Sequence, residues 1–122
     1  MERSVLLVDD DPDFRYMVRK ALRSIGEFVI VEAGNGLEAL RHYHHGDRKF
    51  DIVISDTRMP GMTGPALRTE LASRGYEGRF LLMSGDAYPP VGVDIVKPYL
   101  PEVLRASLAV KLRVKEAAPA VA

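Results

Sequence analysis

The sequence contains no cysteine. That removes disulfides, thiolate metal sites and cysteine nucleophiles together. It suits a reducing compartment, and a cytoplasmic location is the expectation. Net charge is missing too: seventeen Lys and Arg balance seventeen Asp and Glu. Without surplus charge there is no global pull toward nucleic acid or anionic lipid, so neither is expected as a direct partner. No stretch approaches the roughly 20 apolar residues of a membrane span. The first apolar run, Val5 to Val8, stops at Asp9-Asp10-Asp11 and is too short for a secretory signal. Internal repeats are absent as well. What is present fits one folded domain: 122 residues, 47% of them apolar, enough for one core.

Short apolar runs alternate with amphipathic ones. Ser4 to Val8 reads as a strand buried on both faces. A helix start at Asp13 is followed by Phe14, Met17, Val18, Ala21, Leu22 and Ile25, a single stripe at helical spacing, closed by Gly26. Phe28 to Val31 is the second strand, and Leu37 to about His45 the second helix. Phe50 to Ser55 is the third strand, Gly64 to Arg74 the third helix, and Arg79 to Met83 the fourth strand. Asp94 to Val96 is a short fifth strand, and a last helix runs from Pro101 to about Val114. The domain is expected over residues 1–116, with 117–122 a flexible tail or the start of a linker. Strands alternating with helices imply an α/β fold, doubly wound, with a parallel sheet and right-handed crossovers. Five such strands fit the flavodoxin-like order 2-1-3-4-5, in which ligands bind beyond the carboxyl ends of strands 1 and 3.

The chemistry-bearing residues sit where that edge falls. Asp9 and Asp10 follow strand 1, Asp56 follows strand 3, Ser84 follows strand 4 and Lys97 follows strand 5. Each has an ordinary reading: a turn residue, helix N-terminal charge, a solvated lysine. Their arrival at one edge of one sheet outweighs those readings. Three convergent carboxylates repel unless a cation separates them, and oxygen-only ligands favour Mg²⁺ or Mn²⁺. A hydroxyl and an ammonium facing such a site suit phosphoryl oxygens.

Four separated segments carry a resemblance. Val5-Leu6-Leu7-Val8-Asp9-Asp10-Asp11-Pro12 is the first, and Asp51-Ile52-Val53-Ile54-Ser55-Asp56-Thr57-Arg58-Met59-Pro60-Gly61-Met62-Thr63-Gly64 the second. Phe80-Leu81-Leu82-Met83-Ser84-Gly85 and Val96-Lys97-Pro98 complete the set. In this order, over residues 4 to 114, they resemble the receiver domains of two-component response regulators. The resemblance implies a phosphoryl-accepting switch rather than an enzyme in the ordinary sense, with only intrinsic self-phosphorylation and self-dephosphorylation. Asp56 would be the acceptor. Asp10 would bind the metal directly, and Asp9 directly or through a water. Arg58 would offer its backbone carbonyl to the metal. Ser84, Lys97 and the backbone amide of Thr57 would contact phosphoryl oxygens. The implied cofactor is Mg²⁺ or Mn²⁺. The implied partner is a sensor histidine kinase or a histidine phosphotransfer protein, and the chain is expected to be a monomer. Lys97→Ala is expected to leave the melting temperature near the parent's, as for a surface charge.

The family pattern fails in one place. Only twelve residues, 85 to 96, separate Ser84 from Lys97, and they include Gly85, Pro89-Pro90 and Gly92. A helix of about 11 residues with a strand of about 5 does not fit, so the fourth helix of the usual receiver is expected to be shortened or absent, as in some receivers of hybrid kinases. Three positions before the lysine, where the family often has a switch aromatic, stands Asp94. The signal would then leave by the loops after strands 3 and 4 and by the start of the last helix near Tyr99.

Other features read as decoys. Gly34-Asn35-Gly36-Leu37-Glu38-Ala39 matches a dinucleotide fingerprint but follows the second strand, so a helix start is expected. His42, His44 and His45 read as a solvated helix face with no carboxylate joining them at helical spacing. Arg15, Arg19, Lys20 and Arg23 lie off the first helix's apolar stripe. They are either an ordinary charged face or a dock for a kinase. A phosphatase-type hydrolase would want a second acid two residues after Asp56, where Arg58 stands. A partner-binding pseudo-receiver would normally have lost Asp10, Asp56 or Lys97.

Overall fold

The computed structural model describes residues 2–46, 49–86, 89, 91–97 and 100–114. Its elements run β1 (Arg3–Val8), α1 (Pro12–Ile25), β2 (Phe28–Ala33), α2 (Gly36–His45), β3 (Ile52–Asp56), α3 (Gly64–Ser73), β4 (Arg79–Ser84), β5 (Ile95–Val96) and α4 (Pro101–Lys111). The five strands form one parallel sheet in the order β2-β1-β3-β4-β5. This is the flavodoxin-like arrangement. Among the described residues between β4 and β5 there is no helix, and Val91 and Gly92 form a turn. Pro90, Tyr99 and the segment 117–122, which carry expectations of their own, lie outside the described residues.

The reason β1 is apolar without interruption is that both its faces are covered. Val5, Leu6, Leu7 and Val8 are fully buried. Val5 and Leu7 join Ile52, Ile54, Leu81 and Met83 under α1 and α4, meeting Val18, Leu22, Leu104 and Leu108. Leu6, Val8 and Val53 face the other way, against Leu40 of α2 and Leu67 and Leu71 of α3. Burying each such side chain is worth about 1.5–3 kcal/mol against exposure, so the two layers hold the sheet rigid while its carboxyl edge stays free.

Element ends depart from the sequence reading for local reasons. Asp11, not Asp13, caps α1: its carboxylate accepts from the amides of Asp13 and Phe14, and Pro12 occupies the first turn. Phe50 lies before β3 and is buried between the sheet and the α2 side, whereas Asp56 is the last residue of β3 rather than the first beyond it. α4 stops at Lys111 because Arg113 turns to φ 55° and the Val114 amide reaches back to the Ala109 carbonyl at 2.9 Å. That is a Schellman ending with Arg where Gly is usual.

Candidate functional site

Parallel β1 and β3 deliver Asp9 and Asp56 to the same edge, and the turn after β1 adds Asp10. One carboxylate oxygen from each lies within 4.8 Å of the others. Asp9 is fully buried, Asp56 nearly so, and Asp10 is exposed. β5 brings Lys97 opposite them, and the Lys97 amide donates to the Ser84 carbonyl at 2.7 Å. Lys97 Nζ is 2.9 Å from Asp9 Oδ2 and 3.3 Å from Asp56 Oδ2. It also lies 4.4 Å from the centre of the Phe14 ring. Ser84 is buried at the end of β4, its hydroxyl accepting from the Asp86 amide at 3.1 Å. All the expected side chains therefore meet at one edge.

The electrostatics are those of crowded acids. Burial and the neighbouring Asp9 push the Asp56 carboxyl above its ordinary range, although Lys97 and the Thr57 amide work the other way. Burial pulls the Lys97 ammonium down, but Asp9 and then Asp56 more than offset it and raise its pKa. The pairing therefore favours the charged lysine, while Asp56 is left short of stabilisation. Asp9 Oδ2 is fully buried, and its charge partner is the Lys97 ammonium at 2.9 Å. Three carboxylates with an oxygen each within 4.8 Å and one lysine between two of them leave surplus negative charge, which fits a hard divalent cation that takes oxygen ligands.

Several participants were not legible in the spacing. Phe14 belongs to the apolar stripe of α1, yet its ring also faces the Lys97 ammonium. The Arg58 guanidinium is mostly exposed and pairs with Asp86 at 3.2 Å, across the loops after β3 and β4. The Thr57 amide donates to Met83 O at 2.8 Å as well as to Asp56 Oδ1 at 3.0 Å, and its hydroxyl donates to Met83 O. Asp94, in the place of the switch aromatic, is tied to β4: its amide donates to Leu82 O and its Oδ2 accepts from the Leu82 amide, both at 2.9 Å.

The decoys resolve. Asn35 caps α2 and Glu38 reaches back to the Gly34 amide, so the glycine motif is a helix start. The histidines need one correction: Glu38 stands four residues before His42 and its carboxylate lies 3.8 Å from the ring nitrogen. The only group of three or more His, Cys, Asp or Glu close enough to share a cation among the described residues is Asp9, Asp10 and Asp56. No helix among them is long and apolar enough to cross a membrane.

Comparison with known proteins agrees with this architecture. The family model of the response regulator receiver domain matches residues 5–106, and the chain belongs to that family. It is similar to the sensor kinase CckA of Brucella abortus, 39% identical over 84 residues that make up 69% of this chain and 9% of that protein. It is also similar to the chemotaxis protein CheY of Listeria monocytogenes, 30% identical over 93 residues and 76% of each chain. Among solved structures, the response regulator TrrA of Thermotoga maritima in complex with Mg²⁺-BeF superposes with a TM-score of 0.72 at 25% identity, covering 88% of this chain and 97% of that one. The protein is thus a receiver domain of the two-component type, a signalling switch.

Proposed function

We propose that Asp56 accepts a phosphoryl group from a phosphohistidine, on a sensor histidine kinase or a phosphotransfer protein, with Mg²⁺ or Mn²⁺ bound at Asp9, Asp10, Asp56 and the Arg58 carbonyl. The observation that carries this reading is one carboxylate oxygen each from Asp9, Asp10 and Asp56 within 4.8 Å of one another, with Lys97 Nζ 3.3 Å from Asp56. The TrrA complex with Mg²⁺-BeF on the same fold supports it. The bound cation supplies charge neutralisation at the transferring phosphoryl group. Asp56 forms the new O–P bond in line as the P–N bond of the donor breaks, and the electron pair returns to the imidazole. Lys97 and the Ser84 hydroxyl then receive the phosphoryl oxygens, and the Thr57 amide joins them only by giving up its bond to Met83 O. The chain would act as a cytoplasmic monomer, with residues 1–116 as the receiver and 117–122 as a tail or the start of a linker, and with neither nucleic acid nor membrane as a direct partner.

Incubation with a small acyl phosphate and Mg²⁺ tests the assignment. One added phosphate by intact mass, lost in Asp56→Asn and without Mg²⁺, is the expected outcome. Undiminished labelling of Asp56→Asn would move the acceptor elsewhere.

A further inference from the structure

The basic residues of α1 do not form one uniform face. Arg15 and Arg19, four apart on the helix, both turn onto Glu32 near the end of β2. Arg15 Nε lies 3.1 Å from Glu32 Oε1, with the guanidinium about one-fifth exposed. Arg19 reaches the other oxygen of the same carboxylate. Lys20 is exposed and lies over the Tyr16 ring, and Arg23 is exposed.

Arg15 has a second acceptor. Its Nη1 donates to the main-chain carbonyl of Asp9 at 2.6 Å. That carbonyl belongs to the turn between β1 and α1, which carries both Asp9 and Asp10. The turn has other ties: the Asp9 amide donates to Ala33 O at 3.1 Å, Asp9 Oδ1 accepts from the Asp11 amide at 3.0 Å, Asp9 Oδ2 pairs with Lys97, and Asp11 caps α1; none of them holds the Asp9 carbonyl. Glu32 aims the guanidinium, and the guanidinium fixes the peptide plane that leads from Asp9 to Asp10. A planar fork can bond two acceptors in fixed directions; an ammonium on a flexible stem cannot hold both in the same geometry.

We infer that Arg15 is a positioning residue for the divalent-cation site, fixing the Asp9–Asp10 peptide through the Asp9 carbonyl while Glu32 orients it. The inference rests on the reading that these carboxylates bind Mg²⁺. It touches no ligand oxygen itself. Groups of this kind, one step removed from the ion, typically change metal affinity about 10-fold or more when lost.

The test separates position from charge, because they predict opposite signs. Removing a cation near three carboxylates makes the site more negative, so charge alone would tighten Mg²⁺ binding in Arg15→Ala and leave Arg15→Lys unchanged. Loss of position weakens binding in both. Mg²⁺ affinity is measured by calorimetry and by amide shifts of residues 9 to 11 in the parent, Arg15→Ala and Arg15→Lys, with melting temperature recorded under chelator. The expected result is Mg²⁺ binding about 10-fold weaker in Arg15→Ala, and weaker than the parent in Arg15→Lys, with both melting close to the parent. Equal or tighter binding in Arg15→Ala, or a lowered melting temperature with unchanged affinity, overturns the inference alone. A parent that binds no Mg²⁺ overturns the underlying reading with it. Should Arg15→Ala not fold, Arg15→Lys decides: unchanged affinity overturns the inference.

Discussion

Asp56 is an acid held in a place that disfavours its charge. Burial and Asp9 raise its pKa above the ordinary 3.8, against the pull of Lys97. The sign of the consequence follows from proton linkage. Below the ordinary carboxylate range both folded and unfolded states hold the proton, and nothing is lost. As pH rises through that range the unfolded chain releases its proton first, so stability falls, and the loss is complete above the raised pKa. Asp56→Asn is therefore expected to melt above the parent at pH 7 under chelator, with the gain shrinking toward zero as pH falls below the carboxylate range. Thermal melts across pH check this, and a variant less stable than the parent at pH 7 would contradict it. Lys97 runs the other way. Its side chain is only 17% exposed and contacts two carboxylates, so the sequence expectation of a surface lysine with little bearing on stability does not describe its setting. Lys97→Ala leaves Asp9 and Asp56 facing one another unneutralised. A loss of about 1–3 kcal/mol is expected under chelator, partly recovered by Mg²⁺, and a denaturant titration with and without the ion measures it.

Among the elements, α3 is the one whose start bears most directly on Asp56. A Cβ at Gly64 would meet the Asp56 carbonyl at 2.3 Å and Leu82 Cδ2 at 2.7 Å, both in the packed interior. The Gly64 amide donates to Thr57 O at 2.9 Å. Glycine is required by this close approach of backbones, and Gly64→Ala is expected to cost about 1–3 kcal/mol and to displace the Asp56 peptide, read as a lower denaturation midpoint together with slower labelling. The end of α4 offers a change of opposite sign. Arg113 holds a left-handed φ that costs an L-residue about 1–2 kcal/mol, so Arg113→Gly is expected to raise the melting temperature. These positions also show what the sequence makes legible. Strand 1 announces itself by an unbroken apolar run and α1 by helical period, and Asp9, Asp10, Asp56, Ser84 and Lys97 by their place at the ends of successive strands. The cap on α1 was misplaced because Asp11 and Asp13 flank Pro12 and either suits a helix start. Arg15 was invisible as a tie to the site because its acceptor is a main-chain carbonyl, which no residue pattern encodes. Asp94 could be seen to replace an aromatic, but its bonds to Leu82 depend on strand register across the β4–β5 edge.

At the scale of the whole molecule, the layers are unequal. α1 and α4 cover one face of the sheet and α2 and α3 the other, while the crossover from β4 to β5 shows no helix among its described residues. Receivers that pair through a fourth helix with the strand and helix after it have three elements to contribute; here the described residues supply two. Val96, Val103 and Val110 are exposed and share one shallow patch beside this edge, built by β5 and α4. A stable interface generally buries about 1,200 Å² or more, which two elements are not expected to supply. Light scattering at micromolar concentration, with and without beryllofluoride and Mg²⁺, should give the mass of one chain in both conditions. A dimer dependent on the phosphoryl mimic would refute the expectation.

The fifth strand has two residues, in register with β4 at Met83–Ile95 and Ser84–Val96 and flanked by the bonds of Asp94 to Leu82 and of Lys97 to Ser84. In the language of native-state hydrogen exchange, so short an edge strand is expected to open more readily than β1 and β3. Lys97 follows this strand, so the residue proposed to meet the phosphoryl group is attached to a part of the sheet expected to open readily. The amides of Asp94 and Lys97, which donate to Leu82 O and Ser84 O, should exchange early in the unmodified protein. Once Lys97 is engaged by a phosphoryl group on Asp56, they should slow by more than any amide of β1, turning a chemical event at β3 into a change in local opening at the sheet's far edge.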